Sequence, residues 1–472
     1  HPDCAHADPL PHTGLRVSGP SVLTAPPRGK ADGRAAVSSQ HSGESGPIRS
    51  AVGSDVGILE RRAQRSAIDT SGAVRARGGG GVMEGVMEGA NLEGAWDDWC
   101  DRLRALGRSV LAAPAAVDDQ SRAEGVRYLA RLSARSLVQA LDFADPHSPR
   151  LFRGNDDVWQ WGGPNVDNVY LGARIEGSGT YRLRGDVGSQ PCAILQVLGT
   201  PAADDPIAVR VDLDLVALAG PDGRVDLVLG PGDDADVVLP ADARQLVLRE
   251  YVPSLDVPRA GFTIERLDEA IAPAPLGSDD VTRALDAAAR WLEQNVPFWQ
   301  GFTERRRSEV GDNRIERPGS GGPMGSDGIL YSAGFFALAP GECLVVTVDE
   351  PVAPYWALQL YSLGWYEGIE PSRRLSSVNH TQAHVDADGR VRFVIALDDP
   401  GTPNWLDPGG HRAGMMHFRA VGCTSEPDAM AAVVALADLR ASLPADHPVV
   451  GTAERAEAIA LRRRLGQHRF VH

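Results

Sequence analysis

Lysine is almost absent from this sequence. The chain has 472 residues and 47 basic residues, but reading every row finds a single lysine, Lys30, so arginine carries almost all of the positive charge. Without lysine beyond residue 30 there is no Schiff-base lysine for pyridoxal phosphate or aldolase chemistry, and no P-loop lysine for phosphates. The strand lysine of the protein kinases is missing too. These enzyme classes are therefore excluded.

Cysteine pairs and long apolar runs are also missing. The five cysteines are scattered, at Cys4, Cys100, Cys192, Cys343 and Cys423. No Cys-x-x-Cys pair suggests a zinc or redox site, so we expect reduced thiols in a cytoplasmic protein. No apolar run approaches the roughly 18 residues of a membrane-spanning helix, and no charged-then-apolar leader marks a signal peptide. We expect no membrane partner.

The charge balance is acidic. The formal net charge is −16. Sequence-independent binding to nucleic acid needs dense Lys and Arg contacts to phosphates, and anionic lipid attracts basic surfaces. We therefore expect no nucleic-acid partner and favour a small-molecule ligand.

The first 82 residues differ from the rest in composition. Residues 1–82 are rich in Gly, Ser, Pro, Ala and Arg and have no sustained apolar period, which predicts a disordered or non-native extension. The first methionine is Met83. Our hypothesis is that Met83 or Met87 is the natural start.

Hydrophobic spacing divides the remaining chain into five segments. From Leu92 to Phe143 apolar residues recur every three or four positions, which predicts two amphipathic helices. From Asp157 to Glu265, and again from Gly328 to Arg419, short apolar runs alternate with turn pairs, which predicts antiparallel strands. We predict a helical segment 83–150, a first β domain 151–275, a helical linker 276–318, a second β domain 319–424 and C-terminal helices 425–472, at Asp428–Ser442 and Thr452–Leu465.

The two β domains contain similar stretches. Residues 167–170 match 328–331, and residues 191–198 match 354–361, with a glycine turn between the two strands of each copy. The prediction is an α+β fold whose mainly antiparallel, β-sandwich-like core has two related β segments, flanked by helices at both ends and between the segments. Chance similarity between two generic hairpins is the alternative.

The second copy carries a family resemblance. The residues concerned are 327–349, Tyr355-Trp356-Ala357-Leu358-Gln359-Leu360-Tyr361, Asp388-Gly389, Asp398-Asp399-Pro400-Gly401, Asn404-Trp405-Leu406-Asp407 and Phe418-Arg419. Residues 327–419 thereby resemble the bacterial family called domain of unknown function 1214, with its frequent companion 1254. The resemblance implies a β-sandwich-like fold and brings no established activity. Asp407 stands where the family usually has proline.

Aromatic and amide residues gather at the predicted strand edges. Flat aromatic faces beside polar groups suit a small molecule with one apolar face, such as a sugar ring. The candidate ligand-binding residues are Trp161, Asn165, Tyr170, Arg174, Tyr331, Trp356, Arg374, Asn404 and Trp405. The alternative is that these aromatics are ordinary core residues.

Acid–base chemistry would draw on carboxylates and histidine. We name Asp167, Asp407 and His411 as candidate catalytic residues, with Asp157 and Asp327 as further carboxylates. Asp167 stands out because it lies in Pro-Asn-Val-Asp-Asn, a polar run that opens a strand. The alternative is that Asp and Asn cap turns there.

Two functions from different classes follow from these residues. The first is an enzyme that acts on a small polar or glycan-like molecule by metal-free acid–base catalysis, in a pocket between the two β segments. The second is a non-catalytic small-molecule or carbohydrate-binding protein that uses the same aromatic surface. We predict no metal, because His380 and His384 on a strand would lie roughly 13 Å apart, and no cofactor.

Overall fold

The computed structural model describes residues 91–200, 207–268, 272, 274–321, 326 and 328–470. The predictions for residues 1–82, for a start at Met83 or Met87, and for Asp327 lie outside the described residues.

Two antiparallel helices open the described chain, α1 (Leu92–Leu111) and α2 (Asp119–Asp142). The Asn91 side chain caps α1 by accepting from the Gly94 amide, and Asp118 and Ser121 form a capping box at the start of α2. The apolar faces of both helices are buried, which accounts for the three-to-four spacing in the sequence. The two predicted helices are present.

The part of the first β half that the structure describes forms nine strands and a short helix. The elements are β1 (Phe152–Asn155), β2 (Asn168–Arg174), β3 (Tyr181–Asp186), β4 (Ala193–Gly199), β5 (Ala208–Asp214), α3 (Leu215–Leu218), β6 (Arg224–Gly230), β7 (Val237–Val238), β8 (Ala243–Tyr251) and β9 (Thr263–Arg266). They form one sheet in the order β1-β2-β8-β4-β5 and another in the order β7-β6-β3-β9. Alternating residues such as Tyr181, Leu183, Leu195 and Leu246 fill the core between the two sheets.

One long helix, α4 (Ser278–Val310), connects the two halves. The Asp280 carboxylate accepts from the Gly277 amide at its first turn, where negative charge is favoured. Leu285, Ala288 and Leu292 pack with the buried faces of α1 and α2. Within the described ranges, no helix is both long and apolar enough to cross a membrane.

The described residues of the second half form ten strands. They are β10 (Arg314–Ile315), β11 (Gly319–Ser320), β12 (Ile329–Ala337), β13 (Glu342–Asp349), β14 (Tyr355–Tyr361), β15 (Ser377–Asn379), β16 (Arg390–Ile395), β17 (Trp405–Leu406), β18 (Ala413–Val421) and β19 (Ala429–Ala435). One sheet has the order β10-β12-β18-β14-β15, with β11 also pairing with β12, and the other has the order β17-β16-β13-β19. The fold is thus α+β with a sheet-rich, mainly antiparallel core, as predicted.

The two halves share a strand order. In the larger sheets β2-β8-β4 corresponds to β12-β18-β14, and in the smaller sheets β7-β6-β3-β9 corresponds to β17-β16-β13-β19. The pair β6–β7 and the pair β16–β17 are both parallel, whereas the other pairings are antiparallel. Each half therefore arranges its strands in the same way around its own apolar core.

The C-terminal region corrects one prediction. The helix predicted at Asp428–Ser442 is wrong over most of its length, because Ala429–Ala435 forms β19 and pairs antiparallel with β13. Without β19 the backbone groups of β13 on that side would form an unpaired sheet edge. Leu436–Asp438 is a 3-10 turn, and two helices follow, α5 (Leu439–Ser442) and α6 (Thr452–Arg469). The last of these agrees with the second predicted helix.

The packing of α2 gives a stability prediction. A Cβ on Gly125 would lie 2.4 Å from the Trp365 ring and 2.9 Å from Val110, whereas a Cβ on Gly107 in α1 would meet nothing nearer than 3.9 Å. Alanine favours a helix over glycine by up to about 1 kcal/mol. We expect Gly107→Ala to stabilise the protein and Gly125→Ala to destabilise it by about 1–3 kcal/mol through overpacking. Urea unfolding of both variants measures the difference, and equal stabilisation by both would show that the Trp365 contact is loose.

Candidate functional site

Asp167 lies at the start of β2 in a fully bonded environment. Its side chain is 1% exposed, and its Oδ1 accepts from the Arg469 guanidinium at 2.6 Å. The Asn379 amide donates to its Oδ2 at 2.9 Å, and the Tyr355 hydroxyl lies 2.8 Å from the same oxygen. Both carboxylate oxygens are therefore occupied by protein donors.

The bonds at Asp167 continue into a larger network. Asn165 Oδ1 accepts from the Gln359 amide at 2.6 Å, and Gln359 Oε1 accepts from the Tyr361 hydroxyl at 2.6 Å. The Arg419 guanidinium in turn donates to the Tyr361 hydroxyl at 2.6 Å. Burial, with the negative charge of Asp167, raises the pKa of Tyr355 well above its ordinary range, and burial raises that of Tyr361 to about 12. Both hydroxyls stay protonated as donors.

Three buried arginines on one face of α6 hold the C-terminal helix against this network. Arg455, Arg462 and Arg469 are seven residues apart, a spacing that places side chains on the same side of a helix. Arg455 pairs with Asp399 at 2.8 Å, Arg462 donates to the Ser377 carbonyl, and Arg469 reaches Asp167. Burial lowers the pKa of Arg462 to about 10.

The space beside the Asp167 network is small. A cavity lined by Asn165, Asn168, Tyr170 and Gln359 has a volume of about 10 Å³. That is about the room that one water molecule needs. Asp167 and Asn165 therefore hold the two halves together, and their surroundings leave no room for a substrate.

The three predicted pocket tryptophans lie in three separate apolar clusters. Trp161 packs edge-on against Trp291, Trp356 is in the core of the second half, and Trp405 packs beneath α5 and α6. The Trp161 and Trp405 ring N–H groups donate to backbone carbonyls at 3.1 and 2.9 Å. The structure does not bring these three rings together.

The other predicted ligand residues also have local roles. The Tyr170 hydroxyl accepts from the backbone N–H of Asn165 at 2.9 Å, and the Tyr331 ring lies 6.0 Å from the Arg419 guanidinium. Asn404, at a φ of 54°, bonds the backbone of His384 with both side-chain atoms at 2.8 Å. Arg174 lies elsewhere, in an open groove of the first half.

The remaining predicted residues do come together, next to α2. Arg374 donates to Asp407 at 3.0 Å and to Glu370 at 2.9 Å. The Asp407 Oδ1 accepts from the Gly409 amide at 2.8 Å, and Gly409 and Gly410 have left-handed φ angles of 62° and 93°. This tight turn places His411 over the first turns of α2.

His411 has a partner for each protonation state of its Nε2. This nitrogen lies 3.1 Å from Glu124 Oε1 and 3.0 Å from the Gln120 amide nitrogen. A protonated Nε2 donates to Glu124, and a bare Nε2 accepts from Gln120. Burial acts to raise the pKa of Glu124, but the hydrogen bond and charge of His411 outweigh it, so the net pKa is lowered.

Glu367 also lies beside α2 and is more deeply buried than His411 and Arg374. Its side chain is 5% exposed, compared with 11% for His411 and 40% for Arg374, and its nearest cation, Arg131, is 3.6 Å away. Burial raises the pKa of Glu367 to about 7, although the positive charges of Arg127 and Arg131 act in the opposite direction. We refer to Glu124, Arg127, Arg131, Glu367 and His411 as the Glu367 cluster.

Several buried atoms of this region have no hydrogen-bond partner within the described residues. They are Glu124 Oε2, Arg127 Nε, Tyr128 Oη and Glu367 Oε2. Unpaired buried polar atoms cost about 1–3 kcal/mol each, so a protein retains them where water or a ligand completes their bonding. Both oxygens of the Asp167 carboxylate have donors, whereas Glu124 and Glu367 each keep an oxygen without a partner among the described residues.

Sequence reasoning missed Glu124, Arg131 and Glu367. One signal was available, because the polar residues of α2 at 120, 124, 127 and 131 recur at the spacing of a single helix face. That face would ordinarily be read as solvated. Only the fold shows that the chain after β14 covers it.

One group of side chains in the described part of the chain could hold a metal ion. His384, Asp386 and His447 offer ligand atoms that all lie within 4.8 Å of one another. Asp386 Oδ1 lies 2.7 Å from His447 Nδ1 and 3.3 Å from His384 Nε2, and Asp386 Oδ2 accepts from Arg392 at 2.7 Å. Hydrogen bonds alone satisfy this carboxylate, and no described residue offers His447 Nε2 an acceptor that would orient the ring for a metal.

The comparisons with known proteins found likeness among solved structures alone. No family model and no curated protein matches the chain. A crystal structure of an uncharacterised protein from Burkholderia cenocepacia is 30% identical, with a TM-score of 0.66, over 73% of this chain and 98% of that one. The VPA0106 protein from Vibrio parahaemolyticus is 11% identical, with a TM-score of 0.37, over 64% of this chain and 98% of that one.

Because both oxygens of the buried Asp167 carboxylate are bonded, we predict that its replacement strongly lowers stability. We expect Asp167→Asn to lower the free energy of unfolding by about 3–5 kcal/mol, because Arg469 would keep a buried charge without its partner. The matched control is Glu426→Gln, which removes a carboxylate from an exposed pair with Arg317 and should cost under about 1 kcal/mol. Denaturant unfolding of both variants measures this, and similar small losses would show that the buried pair is dispensable.

Proposed function

This chain belongs to the same family as the uncharacterised Burkholderia cenocepacia protein, and we propose that it is an enzyme acting on a small polar or glycan-like molecule by acid–base catalysis. We assign the chemistry to the Glu367 cluster. One observation carries the proposal. Two carboxylates, the half-buried Glu124 and the buried Glu367, each keep a buried oxygen without a partner among the described residues, beside a histidine that has a partner in either protonation state.

Glu367 suits a general acid or base. Proton transfer is most effective when the pKa of the catalytic group lies near the working pH, and burial brings that of Glu367 to about 7. The pKa values of Glu124 and Glu367 also differ in the direction of their shifts. His411 lowers the pKa of Glu124 against the effect of burial, whereas burial raises that of Glu367. Two neighbouring carboxyl groups with separated pKa values suit one acid and one base.

The residues around Glu367 suit a polar substrate. Arg127 and Arg131 approach the two carboxylates at 4.0 and 3.6 Å, and Arg127 Nη1 also lies 3.6 Å from Glu370. In this proposal their guanidinium groups bind substrate oxygens, and Arg127 Nε has no partner among the described residues. Arg374, Glu370 and Asp407 are less buried, with side chains 40%, 32% and 18% exposed. In this proposal His411 exchanges protons with Glu124, and Asp407 positions the turn that carries His411.

Non-catalytic binding of the same class of molecule is the alternative. The unpaired atoms of the Glu367 cluster would then bind the ligand without transferring a proton. The tryptophan faces no longer support this reading, since Trp161, Trp356 and Trp405 lie in separate clusters.

Three further expectations belong to the proposal. The shared strand order supports an internal repeat that arose by duplication. Membership of the family called domain of unknown function 1214 rests on the sequence elements quoted above. A cytoplasmic location is consistent with the four free cysteines of the described chain, at Cys100, Cys192, Cys343 and Cys423.

The function is tested by a ligand screen followed by turnover. Small polar molecules and oligosaccharides that raise the melting temperature of the wild type are incubated with it, and conversion is followed by NMR. We expect Glu367→Gln to bind the converted compound and to lower its turnover 10²–10⁴-fold, the usual contribution of an acid–base group. Glu426→Gln, an exposed carboxylate change, should keep full turnover. Binding without conversion by the wild type would favour the non-catalytic alternative.

The pH dependence of stability tests the state of Glu367 without a substrate. In the folded protein Glu367 holds its proton up to about pH 7, whereas its ordinary pKa is 4.5. Folding therefore takes up a proton between these values, so the unfolding free energy of the wild type falls as the pH rises through this window. Relative to Glu367→Gln, we expect a fall of about 3 kcal/mol between pH 4.5 and pH 7 and none above.

Urea unfolding of both proteins across pH 4 to 8 measures the difference. A difference that is independent of pH in this range would show that Glu367 ionises normally in the folded state.

A further inference from the structure

An open groove in the first half contains unpaired positive charge. It has a volume of about 740 Å³ and is lined by residues that include Arg174, Arg244 and Glu176. This is the size range of small-molecule sites. The groove is lined by the ends of β2 and β8, where Arg174 pairs in register with Gln245, next to Arg244.

Arg174 has no anionic partner within the described ranges. Its side chain is half-buried and forms no hydrogen bond or ion pair with a described residue, and burial lowers its pKa. Arg244 donates to its neighbouring carbonyl of Ala243 at 2.9 Å. The acidic residue of the groove, Glu176, is already paired with Arg266 at 2.8 Å.

Arg135 is a second buried arginine, near enough for the charge of Arg174 to act on it. It is 3% exposed, donates from Nε to the Gly154 carbonyl at 2.8 Å, and stacks over Trp291 at 4.2 Å. Its Nη1 is buried and has no partner among the described residues. Burial, together with the positive charge of Arg174, lowers the pKa of Arg135 to about 9.

Two neighbouring guanidinium groups whose hydrogen-bond partners are neutral lower the stability of the folded protein. Buried charges are normally paired, and removal of a partner costs several kcal/mol. A bound anion would supply the missing charge, and a concave site with low-dielectric walls concentrates the field on it. A guanidinium fork matches the planar oxygens of carboxylate and phosphate.

We propose that Arg174, supported by the charges of Arg135 and Arg244, binds the carboxylate or phosphate group of a small molecule in this groove. The site is separate from the Glu367 cluster and does not depend on the reaction there. Without an anion, the neighbouring positive charges lower the stability of the folded protein, and a bound anion offsets this loss.

Thermal unfolding in inorganic phosphate tests the proposal, against sodium chloride at equal ionic strength. We expect phosphate to raise the melting temperature of the wild type saturably. Without phosphate, Arg174→Gln should melt above the wild type, because it removes the repulsion with Arg135, and it should lose the phosphate-specific rise. Arg317→Gln, which removes an exposed arginine, should respond as the wild type does.

Calorimetric titration with phosphate and with acetate completes the test. Arg244→Gln should weaken binding at least tenfold while leaving the fold intact, so it decides the matter if Arg174→Gln does not fold. Binding of phosphate but not acetate, or the reverse, identifies the ligand group. An equal rise in melting temperature for the wild type and Arg174→Gln, or no rise beyond that of chloride, would overturn the site.

Discussion

The buried ion pair between Asp167 and Arg469 is the constraint on which the rest of the structure depends. Its two residues are 302 positions apart and both are 1% exposed. Tyr355 and Asn379 of the second half bind the same carboxylate that opens β2 of the first half. One carboxylate thereby joins both β halves and the C-terminal helix, and a buried charge tolerates this position only because every oxygen is satisfied.

The charged residues beside α2 are arranged differently. Both oxygens of the Asp167 carboxylate are occupied by protein donors, whereas Glu124 and Glu367 each keep an oxygen without a partner in the described chain. The first arrangement favours a single rigid geometry, and the second leaves bonding capacity for a substrate. Complete hydrogen bonding thus distinguishes Asp167, which stabilises the fold, from Glu124 and Glu367, for which we propose a role in catalysis. The tight turn at Gly409 and Gly410 belongs to the second half, which the Asp167 bonds hold in place, and it positions His411 over α2.

Local patterns in the sequence predicted most of the elements but little of the site. The helix spacing of Leu92–Leu111 and Asp119–Asp142 is a local signal, and both helices formed where it predicted them. The strand Ala429–Ala435 was missed because an Ala- and Val-containing run suits either structure until β13 offers an edge. His411, Asp407 and Arg374 were identified by residue type and do lie together, whereas the depth of Glu367 follows from the chain that covers α2. Asp167 was noticed for its polar setting, but its partners come from distant elements.

Burial brings the pKa of one carboxyl group of the Glu367 cluster, that of Glu367 itself, into the range useful for acid–base catalysis at neutral pH. The most direct measurement is an NMR titration of protein labelled with ¹³C at the glutamate carboxyl carbons, in which Glu367→Gln assigns the signal. We expect a midpoint near pH 7 for Glu367. A midpoint close to the ordinary glutamate value of 4.5 would contradict the role proposed for Glu367.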